Sequence, residues 1–577
     1  MKRKVIYAKK PLYHITTARF ADRVERFAAS ELQKYIYSAT DVCLPYFSDR
    51  CEKRTPEILI GKDARSNNIC LDKVVGDGFV IKTEGRNVII AGKTSKGTLN
   101  GVYSFLERFF NFRRFTFDVE KIERMRSLIV DDMYILENPD FEYREVYTRL
   151  GFDKDFSSKN KLNANLAEYS DLTGMNMRFY NCHHSFSDLV PFEKYGKTHP
   201  EYFSEVDGKR ISENYQLCLT NEEVIKISTE KVKEWIRENP DCKIFSVAQN
   251  DCYNFCTCEK CKEIDDKEQS NSGSIIYFVN RIAEEIEKEY PDVLIHTFAY
   301  TYSVNAPKFV KPRKNVIVRL CNFGVNRGID FVTLLKQDDE GAVSYIENLN
   351  RWSDICSHLY VWEYIVNFKH YLIPFPNIYA MAENIKYYKR RGIKGLLLQG
   401  NFSYGNTSSL TELKTYVFAR LLWNSELDVS VLIKEFTDAV YGNSAECMRE
   451  YVELLHSIVG DKYINMYNSA DQEYYTDEFI QKAEEIFEKA LKLEKNKIVK
   501  ERIQREYLSI MYLKACRLEV GDSRKAKLCN ELEKWLRYFK FTEIQERTLL
   551  DVSLNALKNI KNYDVYEGRY TLYYEMR

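Results

Sequence analysis

Two carboxylate residues, Asp251 and Glu363, stand where they could act together in acid–base chemistry. Asp251 ends the segment KIFSVAQND, and Glu363 lies near the end of HLYVWEY. Hydrolysis of a glycosidic bond needs two acidic functions, or one acid and a polarising group when the substrate's own acetamide is the nucleophile. Asn250, which precedes Asp251, is suited to orient such an acetamide. The sequence therefore predicts Asp251 and Glu363 as catalytic residues. The alternatives are a helix N-cap or a loop turn residue for Asp251 and a paired structural carboxylate for Glu363.

Polar and aromatic residues end several other apolar segments of the chain. An aromatic ring offers an apolar face to the C–H side of a sugar, and polar side chains bind its hydroxyl groups. His183 and His184 are neighbours, so only one of them can face a given side of a regular strand, and a structural histidine is the alternative for either. We predict the following substrate contacts: His183, His184, Asn250, Tyr300, Tyr302, Arg319, Trp362, Tyr364, Gln399 and Asn401.

A third group of reactive residues follows Asp251 closely. Cys256, Cys258 and Cys261 have the spacing Cys-x-Cys-x-x-Cys, which allows three thiolates from one loop to bind a single zinc ion. The fourth ligand would be Cys252 or a distant group, and free thiols are the alternative. A zinc ion held in this way would be structural, so we expect catalysis to require no cofactor.

Eight short apolar segments are predicted to be the strands that position these residues. They alternate with amphipathic stretches such as VIKISTEKVKEWIREN and GSIIYFVNRIAEEIEKEY, which is typical of a parallel sheet covered by helices. Eight strands between residues 139 and 425 fit a (β/α)8 barrel, in which the active site lies at the carboxyl ends of the strands. The predicted strands span residues 142–148, 176–181, 216–221, 243–251, 293–300, 315–321, 358–364 and 395–401.

The chain on either side of this predicted barrel, 139–425, has a different pattern. Residues 1–138 combine the helical runs FAASELQKYIYSA and TLNGVYSFLERFF with the strand-like runs EILIG, GFVIKTEG and NVIIAG. We predict a small α+β domain there. Residues 426–577 carry apolar residues three and four apart, which predicts helices that pack on the barrel. The predicted fold class is therefore α/β, with an N-terminal α+β domain and a C-terminal helical region.

The composition of the 577 residues argues against several kinds of partner. Lys plus Arg and Asp plus Glu each number 85, and no long basic run occurs, which argues against nucleic-acid binding. No segment approaches the roughly 20 apolar residues of a membrane span. The first 20 residues hold no apolar run of signal-peptide length, and 15 scattered cysteines are typical of a reducing compartment. We therefore expect a cytoplasmic protein, or a secreted one if a leader has been removed, without nucleic-acid or membrane partners.

Several motifs follow one another along the chain: NCHHSF, KTHPEYFSEVDGKR, QLCLTN, FSVAQND, CTCEKCKEID, VIVRLC, YVWEYIVNFKHYLIPFPN and QGNFS. Together they resemble the catalytic domain of glycoside hydrolase family 163, known mainly as a domain of unknown function in gut bacteria. The resemblance extends from about residue 140 to residue 445. It departs from the family at Leu398, where relatives have an acidic residue, and at Cys252, where they tend to have an aromatic one. Residues 1–138 resemble the domain that precedes the barrel in α-glucuronidases and β-hexosaminidases.

The resemblance implies a retaining endo-β-N-acetylglucosaminidase that acts on complex N-glycans. In that case Asp251 and Glu363 match acidic positions at the family's strand ends, and the substrate is an oligosaccharide or the glycan of a glycoprotein. The resemblance of residues 1–138 leaves an α-glucuronidase or another exo-acting glycosidase as a second hypothesis. A third hypothesis is a glycan-binding barrel without catalytic activity, because Leu398 replaces an acidic residue of the relatives.

Overall fold

The computed structural model describes most of the chain. Within that part, no helix is both long and apolar enough to cross a membrane. Asn176, in the second predicted strand, and Cys182, directly after it, lie outside the described residues. The residues that the structure describes are 2–52, 56–164, 171–175, 177–181, 183–403, 405 and 408–560.

The N-terminal region combines a mixed sheet with two helices. Its elements are β1 (Arg3–Tyr7), β2 (Lys10–Pro11), β3 (His14–Thr17), α1 (Arg23–Thr40), β4 (Tyr46–Ser48), β5 (Glu57–Ile60), β6 (Phe79–Glu84), β7 (Asn87–Gly92), α2 (Ser95–Phe110), β8 (Arg113–Arg114), β9 (Glu120–Lys121), β10 (Leu128–Val130) and β11 (Tyr134–Glu137). Six strands form a sheet of order β11-β6-β7-β5-β3-β4, while β10-β1-β2 and β8-β9 form smaller sheets. The three predicted strands correspond to β5, β6 and β7, and the two predicted helices to α1 and α2.

Side-chain caps begin both of these helices. Asp22 Oδ1 accepts a hydrogen bond from the backbone N–H of Glu25 at 2.8 Å, and Thr94 Oγ1 accepts one from Gly97 at 3.0 Å. Each cap satisfies a donor of the first turn that has no acceptor within the helix. The helices then bury their apolar faces in one core with the sheet.

The central region is built on a parallel sheet of seven strands. Its strands are β12 (Tyr143–Tyr147), β13 (Phe179–Tyr180), β16 (Ile244–Ser246), β17 (Leu294–Ala299), β18 (Val316–Cys321), β19 (His358–Tyr364) and β20 (Gly395–Gln399), and a separate hairpin is formed by β14 (Glu205–Val206) and β15 (Lys209–Arg210). The order in the sheet is β12-β20-β19-β18-β17-β16-β13, and every neighbouring pair is parallel. Apolar residues on both faces of the strands are buried, as in sheets covered by helices.

Helices connect most of these strands and cover the outer face of the sheet. They are α3 (Lys154–Lys159), α4 (Phe186–Leu189), α5 (Phe192–Tyr195), α6 (Glu222–Glu238), α7 (Glu259–Glu268), α8 (Ser272–Glu289), α9 (Phe331–Lys336), α10 (Glu340–Ile355) and α11 (Ile378–Arg390).

The third predicted strand, 216–221, is wrong. This segment is fully described and makes only one isolated bridge, in which Leu217 pairs with Phe203. β13 instead pairs directly with β16, so no strand lies between them. The apolar run is interrupted because Asn221 already caps α6, accepting from the N–H of Glu223 at 3.0 Å. Seven of the eight predicted strands are therefore present in the described chain.

A buried ion pair joins the N-terminal region to the first strand of the central sheet. Arg144 on β12 donates to Asp77 Oδ2 at 2.8 Å, and the two side chains are 0% and 2% exposed. Asn163 donates to the same carboxylate oxygen at 2.8 Å. Separating the two regions would leave Arg144 and Asp77 as unpaired buried charges, which is strongly destabilising. The ion pair therefore holds the two regions in one arrangement.

The C-terminal region is mainly helical, as predicted, and ends in a short hairpin and a last helix. Its elements are α12 (Thr411–Trp423), α13 (Val429–Tyr441), α14 (Ala445–Ser457), α15 (Asp477–Leu493), α16 (Lys497–Arg517), α17 (Ser523–Tyr538), β21 (Glu543–Gln545), β22 (Thr548–Leu549) and α18 (Leu550–Asn559). The β21–β22 hairpin was not predicted. Backbone hydrogen bonds from Tyr371 to Ile544 and from Glu546 to Phe368, both 3.0 Å, attach it to the loop after β19.

Candidate active site

A cavity of about 200 Å³ lies at the carboxyl ends of the parallel strands. Tyr147, Cys321, Tyr364 and Gln399 line it from the last positions of β12, β18, β19 and β20. This is the place where a parallel α/β sheet presents side chains to a ligand. The cavity is lined by Tyr147, His183, His184, Asp251, Phe298, Tyr300, Cys321, Phe323, Trp362, Tyr364, Phe368, Tyr371, Gln399, Phe402, Tyr467, Glu543, Glu546 and Arg547.

Asp251 brings a carboxylate to this cavity, as predicted from the sequence. It follows β16, and its side chain is 37% exposed. The hydroxyl of Tyr300 donates to Asp251 Oδ1 at 2.8 Å. His184 Nε2 lies 3.8 Å from the same oxygen. A carboxylate that is open to the cavity and oriented by a neighbouring hydroxyl is suited to proton transfer or to charge stabilisation.

The two adjacent histidines both line the cavity, but in different surroundings. His184 Nδ1 lies 2.6 Å from the backbone oxygen of Gln249, which can only accept, so Nδ1 carries the proton and Nε2 is directed towards Asp251. Burial lowers the pKa of His183 to about 4, assisted by the charges of His184 and Arg319. His183 is therefore neutral at pH 7 and can bind a sugar hydroxyl as either donor or acceptor.

Glu363 does not line the cavity, in contrast to the predicted pairing with Asp251. Its neighbours Trp362 and Tyr364 do, and because side chains alternate along a strand, Glu363 points to the opposite face of β19. There the fully buried carboxylate accepts from Asn322 at 2.9 Å and Arg327 at 2.5 Å, and from the hydroxyl of Tyr388. The structure therefore does not bring the two predicted carboxylates together, and Glu363 occupies the position of a paired structural carboxylate.

Six of the ten predicted substrate contacts line the cavity: His183, His184, Tyr300, Trp362, Tyr364 and Gln399. The other four are not among the lining residues: Asn250, Tyr302, Arg319 and Asn401. The side chain of Asn250 is engaged with backbone, donating to Tyr215 O at 2.8 Å and accepting from Ser187 N at 3.0 Å. Asn401 is buried and accepts from the backbone N–H of Ser403.

Neither Arg319 nor Tyr302 lines the cavity; Arg319 is buried and Tyr302 is partly buried. The guanidinium of Arg319 lies 4.6 Å from the ring centre of Phe179 and 5.6 Å from that of Trp362. None of its three nitrogens has a hydrogen-bond partner among the described residues. Tyr302 stacks on Phe255 at 5.0 Å. Arg319 therefore adds a positive charge behind the cavity wall, next to Trp362, whereas Tyr302 packs against Phe255.

Sequence reasoning missed the residues that the C-terminal hairpin contributes. Glu543 on β21 accepts from Ser403 Oγ at 3.0 Å, and Glu546 and Arg547 lie in the turn between β21 and β22. Arg547 has a φ of 54°, a left-handed conformation that is uncommon for a side chain of this size. No local pattern in FTEIQERTLL connects this segment with strand ends about 150 residues or more away. By contrast, Tyr147 is the next-to-last residue of the predicted strand 142–148 and could have been identified.

A second cluster of reactive side chains is formed between the loop that follows Asp251 and the loop that precedes α6. The thiols of Cys218, Cys256, Cys258 and Cys261 all lie within 4.8 Å of one another, and these four residues could hold a metal ion. Three of them are the predicted ligands. The fourth is Cys218, which is a distant group in the sequence, and Cys252, the other candidate for the fourth ligand, is not part of the cluster.

Comparison with protein families gives two matches along the chain. Residues 115–453 match a family described as "Domain of unknown function (DUF4838)", which covers more than half of the chain. Residues 2–105 match "Glycosyl hydrolase family 67 N-terminus". Among curated proteins, none matches this sequence.

Three solved structures of glycoside hydrolase families match this chain, and one of them has a TM-score above 0.5. A family GH115 4-O-methyl-α-glucuronidase, BtGH115A, with specificity for decorated arabinogalactans, has a TM-score of 0.58 and 10% identity, over 95% of this chain and 80% of its own. CpGH84D has a TM-score of 0.48 and 11% identity, over 92% and 89% of the two chains. CpGH84B has a TM-score of 0.49 and 14% identity, over 96% and 97%. At these identities the comparison with BtGH115A concerns the fold alone.

Proposed function

The chain belongs to the family described as a domain of unknown function, DUF4838, and on this premise we propose that it is a glycoside hydrolase whose catalytic carboxyl group is that of Asp251. One observation carries the proposal: Asp251 enters a cavity at the carboxyl ends of the strands whose walls are largely aromatic. Rings such as Trp362, Tyr364 and Phe402 suit the C–H faces of sugars. The glycoside-hydrolase-like fold supports the same class of reaction.

In the proposed reaction, a carboxylate or the substrate's acetamide oxygen attacks the anomeric carbon, and the bond from that carbon to the glycosidic oxygen breaks as an acidic group protonates the oxygen. Water, deprotonated by the same group, then attacks the anomeric carbon and releases the second product. Asp251 supplies one of these functions, with Tyr300 holding its carboxyl group. Glu543 and Glu546 are the other carboxylates that line the cavity in the described part of the chain, and one of them supplies the second. His183 binds a hydroxyl in its neutral form, so it adds no positive charge next to an oxocarbenium-like transition state.

We also propose that the substrate contains N-acetylglucosamine and is cleaved within the glycan with retention of configuration. The support is the resemblance of the strand-end motifs to glycoside hydrolase family 163. Because the side chain of Asn250 is engaged with backbone, a contact with the acetamide falls to Asp251 rather than to Asn250. Leu398 is fully buried next to Gln399, which lines the cavity. Leucine in place of the relatives' acidic residue at position 398 therefore removes no carboxylate from the cavity wall.

The test is turnover of a complex N-glycoprotein and of free N-glycan oligosaccharides, with products identified by mass spectrometry. We expect Asp251→Asn to lower turnover by about 100- to 10,000-fold, the usual contribution of an acid or base, while glycan binding is retained. Glu543→Gln and Glu546→Gln identify the second carboxylate. Glu263→Gln is the matched control, because this exposed carboxylate lies on α7 beyond the same loop. Wild-type turnover by Asp251→Asn would refute the assignment, and binding without turnover by the unmodified protein would favour the non-catalytic hypothesis.

A hydrolase for acidic sugars is a second candidate, favoured by the position of Arg547. This guanidinium lines the cavity and is suited to bind the carboxylate of a uronic acid. The strand-borne candidate for that role, Arg319, is buried outside the lining. If this candidate holds, uronosyl substrates are cleaved faster than their neutral analogues, and Arg547→Met removes that preference. Equal rates on uronosyl substrates and on their neutral analogues would refute the acidic-sugar candidate.

We further propose that the seven-stranded sheet is a barrel closed between β12 and β13 by the segment around Asn163. Asn163 Nδ2 donates to Glu142 O at 2.7 Å, and the N–H of Met177 donates to Asn163 O at 3.3 Å. The rings of Tyr143 and Phe179 meet across this gap with their centres 5.2 Å apart. These contacts connect the two edge strands without a direct ladder between them.

A further inference from the structure

The four-thiol cluster joins two segments of the chain that are far apart in sequence. Cys256, Cys258 and Cys261 lie at the start of α7, where Cys258 is the N-cap residue. Cys218 comes from the loop that precedes α6. Three of the four residues are buried and Cys258 is partly exposed. Four converging thiols in a shielded position are uncommon unless they share a bond or a ligand.

The spacing of the sulfur atoms fits a tetrahedral zinc ion. With a zinc–sulfur distance of about 2.3 Å, the sulfurs of a tetrahedral site lie about 3.8 Å apart. The Sγ atoms of Cys218 and Cys258 are 3.7 Å apart, and all pairs are within 4.8 Å. Binding thus requires adjustments of about 1 Å or less. A disulfide needs a sulfur–sulfur distance of about 2.0 Å, and these cysteines are all free.

The surroundings of the cluster are arranged to stabilise negatively charged sulfur. The backbone N–H of Glu205 donates to Cys256 Sγ at 3.4 Å, and the guanidinium of Arg210 donates to the same atom at 3.6 Å. The hydroxyl of Thr220 lies 3.3 Å from Cys261 Sγ. Four thiolates and one Zn²⁺ carry a net charge of −2, so a nearby guanidinium and backbone donors offset part of that charge.

From these observations we propose that Cys218, Cys256, Cys258 and Cys261 bind one structural zinc ion. Each thiol releases its proton to solvent as the zinc–sulfur bond forms, so four protons leave for each ion bound. Within the described part of the chain the set consists of four sulfurs, which is typical of a closed structural site. The proposal does not depend on the glycosidase activity.

The zinc site holds the loop that carries Asp251. Gln216, two residues before Cys218, donates through Nε2 to the backbone oxygens of Asn250 and Cys252, both at 2.8 Å. Its Oε1 accepts from the N–H of Asn250, also at 2.8 Å. Gln216 therefore fixes the segment around Asp251, and the neighbouring ligand Cys218 fixes the position of Gln216. Zinc would act on the cavity through this clamp and not by contact with the substrate.

The test is metal analysis of the full chain purified under reducing conditions and supplied with Zn²⁺. We expect about one zinc per chain, and less than about half an equivalent in Cys218→Ser and Cys258→Ser. Cys252→Ser is the matched control, since this thiol lies on the same loop outside the cluster, and it should retain about one equivalent. Cobalt in place of zinc should give the sulfur-to-metal charge-transfer absorption of a tetrahedral thiolate site.

Two results would overturn the proposal. One is less than about half an equivalent of zinc in the unmodified protein; the other is equal zinc in Cys218→Ser and the unmodified protein. If the serine variants fail to fold, alkylation of the unmodified protein decides. Zinc should protect these four cysteines, but not Cys252, and a loss of two hydrogens per thiol pair would identify disulfides instead. None of these measurements requires turnover, so they remain informative if the proposed activity is absent.

Discussion

Replacing Glu363 by glutamine is expected to destabilise the protein strongly while leaving the chemistry of the cavity intact. The Glu363 side chain is fully buried and that of Arg327 is 3% exposed, so water solvates neither charge. Glutamine keeps the shape and can still accept from Asn322 and Tyr388, but it leaves Arg327 without a carboxylate. Removing one partner of a buried ion pair costs about 3–5 kcal/mol in the free energy of unfolding. A loss of this size is a large part of the stability of a typical domain.

The assay is urea unfolding followed by tryptophan fluorescence, with turnover measured on the folded protein. With an m-value of about 3 kcal/mol/M, the midpoint should fall by about 1 M or more. Glu347→Gln, an exposed carboxylate on α10, should change stability by less than about 0.5 kcal/mol. The double variant with Arg327→Met should recover part of the loss, because it removes the unpaired charge. A Glu363→Gln protein with unchanged midpoint and no turnover would refute this reasoning and restore Glu363 as a catalytic residue.

Two further predictions concern groups next to the cavity. Tyr300→Phe removes the hydrogen bond to Asp251, so we expect kcat to fall about 10-fold with little change in KM; an unchanged kcat in steady-state kinetics would contradict the role of Tyr300. Burial raises the pKa of Glu145 to about 7, so its contribution to stability is present below pH 4.5 and lost as pH rises through 7. Glutamine is neutral at every pH, so the free energy of unfolding of Glu145→Gln should fall by about 3 kcal/mol less than that of the unmodified protein over this pH range. Parallel curves of unfolding free energy against pH for the variant and the unmodified protein would contradict this prediction.

The strands of the central sheet could largely be predicted because they are compact apolar runs bounded by polar residues. Segment 216–221 has the same appearance, but Asn221 caps a helix and Gln216 clamps a loop, roles that depend on distant partners. The position of Asp251 was predictable because strand ends meet at one edge of a parallel sheet. The contribution of Arg547 was not, since the hairpin and the strand ends are related only through tertiary contacts.

The orientation of Glu363 follows from the alternation of side chains along its strand, which is visible in the sequence. In HLYVWEY, side chains alternate between the two faces of the strand, so Trp362 and Tyr364 share one face and Glu363 has the other. A regular strand therefore cannot direct Trp362, Glu363 and Tyr364 into the same cavity. Asn250 and Asp251 lie beyond the end of β16, and there only the structure shows that Asn250 is engaged with backbone while Asp251 enters the cavity.

The β21–β22 hairpin adds residues to the cavity that the core of the central sheet does not require. Strand-end residues such as Tyr364 also belong to the packed core, so replacing them alters folding. Glu546 and Arg547 lie in a tight turn whose backbone is held by the loop after β19. A lineage of such proteins could exchange one sugar for another by changing a few turn residues, while the strands and their core evolved slowly. Substrate preference within the family would then follow the C-terminal turn rather than the matched region, 115–453.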